Sequence, residues 1–165
     1  MSVTSNAEIM SSAYSTASPD MLRLDAQLCF RLYAASRTVT RCYQPLLTEL
    51  GLTYPQYLVM LVLWEEDNLT VKGLGTRLML DSGTLTPLLK RLEATGLICR
   101  ERRPENEREV RLRLTHSGHS LRNKAQEVPT ALMAALGLSL NELDGMRSML
   151  DTLLAKAEVG TTETQ

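Results

Sequence analysis

Cysteine is scarce in this 165-residue chain, and a long apolar run is absent. The three cysteines, Cys29, Cys42 and Cys99, are odd in number and irregularly spaced. That excludes a disulfide framework or a zinc knuckle and points to a reducing, cytoplasmic setting. The longest unbroken apolar stretch, Tyr57–Trp64, has eight residues, whereas a membrane-spanning helix needs about 20, so no membrane partner is expected. Residues 1–20 carry no Lys or Arg and no apolar core, so a secretory leader is not expected; their eight Ser or Thr read as a disordered tail. His116 and His119 lie three apart with no third ligand nearby, and they read as capping or surface residues rather than as a metal site. No cofactor is expected. The net charge of −1 offers no bulk attraction to nucleic acid, but that charge is unevenly spread.

What is present is helical periodicity interrupted once by strand alternation. From Leu22 onward Leu24, Leu28 and Leu32 recur every fourth residue, and Val39, Tyr43 and Leu46–Leu47 extend the stripe. Pro45 is expected to bend or interrupt this helix, and Gly51 to close it. Thr53-Tyr54-Pro55-Gln56 reads as a helix start with a capping box. The apolar run behind it suits a helix at the centre of the domain. A third helix is predicted over Val71–Met79 and a fourth from Asp81-Ser82 to Glu93–Thr95, stopped by Gly96. Leu97–Arg102 and Glu109–Leu114 then read as two strands around a polar turn, because Val110, Leu112 and Leu114 alternate with Glu109, Arg111 and Arg113. Thr115-His116-Ser117-Gly118 caps a helix through about Glu127, which Val128-Pro129 breaks or bends. Ser139-Leu140-Asn141-Glu142 caps another, with an apolar seam of Leu143, Met146, Leu150, Leu153, Leu154 and Ala157. The predicted order is α-α-α-α-β-β-α-α.

The block from about Val71 to Leu114 is helix, turn, helix, hairpin, the order of a winged helix whose second helix enters the major groove. Residues 90–113 hold eight Lys or Arg and five Glu, a net +3 on a remainder of −4. Such a basic surface, with Lys90, Arg91, Arg100 and Arg108 in it, suits phosphate contact. The start of the fourth helix, Asp81, Ser82, Gly83, Thr84 and Thr86, is small and polar, fit for close approach to base edges and phosphates. The bland alternative is a solvated helix with an ordinary exposed hairpin. The outer helices, about 22–50 and 116–157, carry more apolar surface than a winged helix over about 52–115 can cover. They are expected to pack against a second copy, giving one domain over 21–160 and a homodimer. Two reading helices about 34 Å apart would match a palindromic operator in double-stranded DNA. Cys29, amid Leu28, Phe30 and Leu32, reads either as a small buried hydrophobe or as a reactive thiol with Tyr33 and Tyr43 near in sequence.

Gln27-Leu28-Cys29-Phe30, Leu32-Tyr33-Ala34, Leu52–Val59 and Leu80–Glu93 closely resemble the organic-hydroperoxide-sensing repressors (OhrR), a branch of the MarR family of dimeric winged-helix regulators. The resemblance covers about residues 22–157. It implies a mostly α fold with a winged helix-turn-helix, a MarR-like dimer built on N- and C-terminal helices, and a regulator rather than an enzyme. By the same resemblance Cys29 is the peroxide-sensing cysteine. Tyr33 and Tyr43 match tyrosines that hydrogen-bond its sulfur across the dimer interface. Ser82, Thr84 and Thr86 fall in the major-groove helix. Arg108 matches the wing-tip arginine of the minor groove, although Asn106-Glu107-Arg108 stands where the family has Asp-x-Arg. No resolving cysteine stands in Thr130–Gly137, so the implied route is sulfenic acid at Cys29 followed by a mixed disulfide with a small cellular thiol, or by slower over-oxidation. Cys42 remains an unorthodox resolving partner to consider, and Cys99 reads as packing. Competing readings are a regulator released by an aromatic ligand, a thiol peroxidase, and a protein-interaction module.

Overall fold

The computed structural model describes residues 22–103 and 106–162, with the side chains of 102–108 and of 158 onward outside the description. The tail expectation for residues 1–20 therefore lies outside the described residues. The chain divides after Thr40 into two units. In the first, a short 3-10 turn at Leu24–Ala26 precedes the start of helix α1, Leu28–Thr48. An Arg23–Asp25 ion pair at 3.0 Å and a hydrogen bond from the Arg31 guanidinium to the Asp25 carbonyl tie the turn down. Leu22, Leu24, Leu28, Phe30 and Tyr33 are all exposed here.

Of the expected bend or interruption at Pro45, the interruption does not occur: α1 runs on to Thr48. The position explains it. Pro45 sits in the last turn, which also drives Leu47 into the core at 1% exposure, so burial carries the helix past the proline despite the one N–H it lacks. The chain then reverses at Gly51, whose φ of +68° only glycine adopts without strain.

In the second unit, α2 (Tyr54–Glu65) is the central spine. Gln56 reaches back to accept from the Thr53 N–H at 2.8 Å and from its hydroxyl at 3.0 Å, and Pro55 occupies the first turn. Tyr57, Val59, Met60, Leu63 and Trp64 are buried around it. A two-residue strand, β1 (Leu69–Thr70), leads into α3 (Val71–Leu78), capped by Thr70 accepting from the Gly73 N–H at 2.9 Å. Next comes α4 (Ser82–Ala94), which turns Leu85, Leu89 and Leu92 inward at i, i+4 and i+7 and stops before Gly96. A Cβ on Gly75 would stand 2.8 Å from the Leu80 carbonyl oxygen, so the α3–α4 turn closes only around a glycine.

Strands β2 (Ile98–Arg103) and β3 (Asn106–Leu114) complete a three-stranded antiparallel sheet in the order β1-β3-β2. Ile98 pairs with Leu114 and Arg100 with Leu112, and Leu112 is fully buried. Two elements depart from the expected order. β1 pairs Leu69 with Leu112 and Thr70 with Arg111; two residues leave no alternation to read. The C-terminal part has three helices, α5 (His116–Ala125), α6 (Val128–Leu136) and α7 (Leu140–Thr162). Val128-Pro129 starts a helix instead of merely ending one, because proline at the first positions of a helix forfeits no hydrogen bond. Among the described residues no helix is long and apolar enough to cross a membrane.

Candidate functional site

The helix-turn-helix presents the short polar residues outward. Ser82, Thr84, Thr86, Lys90 and Arg91 are all exposed on α4, on faces away from Leu85, Leu89 and Leu92. Asp81 is the cap of this helix. One carboxylate oxygen accepts from the Thr84 N–H and the other from the Thr84 hydroxyl, both at 2.9 Å. Those bonds, the backbone N–H first, hold the Asp81 carboxyl below the usual aspartate range, so it is anionic and occupied. Its part is therefore to fix the helix start. The Thr86 hydroxyl donates to the Ser82 carbonyl at 2.6 Å, a bond that uses its proton and not its acceptor capacity.

The hairpin is coupled to this helix through charge. Arg100 is half-buried, and its guanidinium grips the Glu93 carboxylate of α4 at 2.7 and 2.9 Å. Its charge is thus engaged within the fold. A cleft of about 470 Å³ lies where α3, α4 and the hairpin meet, lined by Thr70, Lys72, Thr86, Arg100 and Glu109. Lys72, exposed at the start of α3, is brought there by the fold alone; its sequence context is only a helix start. The backbone of Arg108 lies in β3, but its side chain is outside the described residues. Among the described residues no His, Cys, Asp and Glu group could hold a metal.

The thiols stand in different settings. Cys29, the second residue of α1, is exposed in the single chain, so it does not fill this chain's own core. Its apolar neighbours Leu28 and Phe30 are exposed as well, at 58% and 37%. Tyr33 lies one turn on, tilted against Phe30 with centroids 6.5 Å apart, and the Arg37 guanidinium sits 5.5 Å over its ring. Cys42 and Cys99 are half-buried, and Cys99 pairs with Arg113 across the hairpin.

In the second unit Tyr43 belongs to an aromatic cluster. Its ring centroid lies 4.8 Å from that of Tyr54 and 5.7 Å from that of Tyr57, and Tyr57 meets Trp64 edge-on at 6.2 Å. Burial first, and then the two neighbouring phenols, push the Tyr43 hydroxyl up to about 12. It therefore remains a hydrogen-bond donor at any pH a cell reaches. Tyr54, whose phenol is likewise raised by burial, is a second such donor beside it. In sequence Tyr54 stands inside a helix-start motif that accounts for it without chemistry.

Comparison with known proteins agrees with this geometry. The family described as transcriptional regulator SarA/Rot matches residues 41–125. The organic hydroperoxide resistance transcriptional regulator of Bacillus subtilis is 50% identical over 135 residues, covering 82% of this chain and 92% of that protein. The HTH-type transcriptional regulator TtmR of Methylorubrum extorquens is 50% identical over 152 residues, covering 90% of this chain and 77% of its own. Among solved structures, reduced AbfR bound to DNA superposes with a TM-score of 0.73 at 38% identity, covering 85% of this chain and 96% of that one. AbfR, a protein of Staphylococcus epidermidis, also matches in an over-oxidised form bound to DNA, with a TM-score of 0.68 at 36% identity and coverage of 84% and 97%.

Proposed function

Because the chain belongs to the MarR family of winged-helix transcriptional regulators, in the branch of the organic-hydroperoxide regulators, we propose that it is a homodimeric repressor that holds DNA while Cys29 is reduced and releases it once an organic hydroperoxide has oxidised that thiol. The observation that carries this reading is the setting of Cys29: an exposed thiol on an exposed apolar helix start, with a phenol one turn away. Exposed Met146, Met149, Leu150, Leu153 and Leu154 on α7 supply further apolar surface for a second copy to cover. The dimer would set two α4 helices about 34 Å apart on a palindromic operator, with Ser82, Thr84 and Thr86 toward base edges and Lys90, Arg91 and Arg108 toward the backbone and minor groove. Its place of action is the cytoplasm.

The chemistry balances in two steps. The Cys29 thiolate attacks the outer oxygen of the hydroperoxide; the O–O bond breaks, an alcohol leaves with the proton, and cysteine sulfenic acid remains. A small cellular thiol then attacks that sulfur, and water leaves as the mixed disulfide forms. Tyr33 and Tyr43 hydroxyls hold the sulfur in the reduced dimer, and an adduct displaces them. Over-oxidised AbfR stands on DNA, so release in this chain is assigned to the bulk of the mixed disulfide rather than to added oxygen alone. Moving a dimer from near-full to near-empty occupancy takes about 5.5 kcal/mol of differential stability.

The test is a gel shift with DNA upstream of the protein's own coding region, with an organic hydroperoxide, a small thiol, both or neither. The wild-type chain retards the DNA until both are present. Cys29→Ser keeps retarding it under every condition. Release of the Cys29→Ser chain by hydroperoxide and thiol would defeat the proposal.

A further inference from the structure

The corner between α2 and β1 holds a set of contacts that the DNA-reading residues do not account for. Asp67, half-buried in that corner, accepts the backbone N–H of Leu114, the last residue of β3, at 2.9 Å through Oδ1. The same oxygen accepts the Asn68 N–H at 2.8 Å. The other oxygen faces His119 Nε2 of α5 at 3.7 Å. Asn68 itself adopts a φ of +63°, uncommon for a residue with a side chain, and its carbonyl accepts from Arg111 Nη1 at 2.9 Å. Arg111 is held in turn by Glu109 at 2.9 Å.

We propose that Asp67 is a positioning residue for the wing: its carboxylate, aided by the Asn68–Arg111 bond, sets the direction in which the β2–β3 hairpin leaves the domain. This deepens the DNA-binding reading above and rests on it. β1 has only two residues with which to grip β3, at Leu112 and Arg111. The Asp67 and Asn68 contacts extend that grip to Leu114 and double it at Arg111. Leverage makes this matter. From Leu114 to Asn106 the strand runs eight steps, or about 26 Å, so a rotation of about 10° at its root moves the far end by about 4–5 Å. Hydrogen bonds to DNA tolerate a few tenths of an ångström. Asp67 thus governs a contact more than two dozen ångströms away without touching DNA. A carboxylate serves because one oxygen accepts two N–H groups while the second meets the imidazole.

The experiment measures affinity and its salt dependence for the same upstream duplex with wild type, Asp67→Ala, Asp67→Asn, Arg108→Ala and the Asp67→Ala/Arg108→Ala pair. Asp67→Ala weakens binding by about tenfold and flattens the salt slope by about one, as expected when a wing cation leaves the duplex. The pair binds no more than about twofold weaker than Arg108→Ala alone, because both changes remove the same contact. Asp67→Asn recovers most of the loss, since its amide oxygen still accepts both N–H groups. Should the Asp67→Ala chain fail to fold, Arg111→Leu, which removes the tie to Asn68 together with the ion pair to Glu109, takes its place in the same cycle. Losses that multiply in the pair, or wild-type affinity in Asp67→Ala, overturn the inference. Failure of the wild-type chain to bind duplex at all overturns instead the reading it rests on.

Discussion

Replacing Gly118 with alanine should loosen the junction between the hairpin and the C-terminal helices. Gly118 is the third residue of α5 and is buried. A Cβ there would stand 2.1 Å from the Leu97 carbonyl oxygen and 3.2 Å from Leu114 Cδ2. Backbone cannot yield as a flexible side-chain tip can, so α5 or the Leu97 segment must shift by about 1 Å, an overpacking cost of about 1–3 kcal/mol. The Gly118 carbonyl also accepts the Trp64 indole N–H at 2.9 Å in the core. Stretching that bond costs about 0.5–1.5 kcal/mol more. Against these stands the better helix propensity of alanine, about 1 kcal/mol. The net expectation is a loss of about 1–3 kcal/mol. Trp64 is the single tryptophan of the chain, so its emission reports both the equilibrium and the altered bond. In a urea titration the midpoint should fall by about 1 M, and the native emission maximum should move. A Gly118→Ala chain as stable as wild type, with unchanged emission, would refute the steric argument, because propensity alone then decided the outcome.

Lys72→Ala should weaken binding to any duplex by a similar factor and lower the slope of log affinity against log salt by about one, read by fluorescence anisotropy across a salt series; an unchanged slope takes the cleft at the start of α3 out of the interface. For Tyr43 the sign runs upward in pH. Its phenol is about 10 when unfolded and pushed up to about 12 when folded. The stabilisation is therefore complete below about pH 10 and is lost as pH rises through about 12, which an ultraviolet titration of tyrosinate together with alkaline unfolding will show. Tyr43→Phe should leave reduced-state DNA binding near normal while slowing thiol oxidation, measured by trapping sulfenic acid over time.

The parts of this fold that sequence reveals are those written in local physics. The bounds of α4 follow from an Asp81 cap and a Gly96 stop, and the alternation from Glu109 to Leu114 gave the buried Leu112 and Leu114 of β3, though Val110 is no more than half-buried. β1 escaped because two residues carry no period, and α6 because Pro129 is equally at home after one helix and at the start of the next. The site was legible in its types of residue more than in their surroundings. Asp81 reads as a polar residue near DNA, yet both of its oxygens are committed to Thr84. Arg100 reads as a free cation, yet it holds Glu93. The tie from Asp67 to Leu114 spans 47 positions and has no sequence signature at all. Cys29 was hardest. Apolar neighbours ordinarily announce a core, and here they announce an exposed surface.

That exposure bears on why a small chemical change can move a large equilibrium. An adduct forced into the true core, beside Leu47 or Met60, would act against the fold of the chain itself. On the exposed apolar surface that the proposed dimer would cover, the same adduct would act against the association geometry. Burying a large apolar side chain contributes about 1.5–3 kcal/mol. Leu28 and Phe30, which flank Cys29 in sequence, are exposed, as is Leu24 in the preceding turn. In the proposed dimer, prying apart two or three such contacts would supply roughly the 5.5 kcal/mol that emptying an operator requires, with the winged helix left folded.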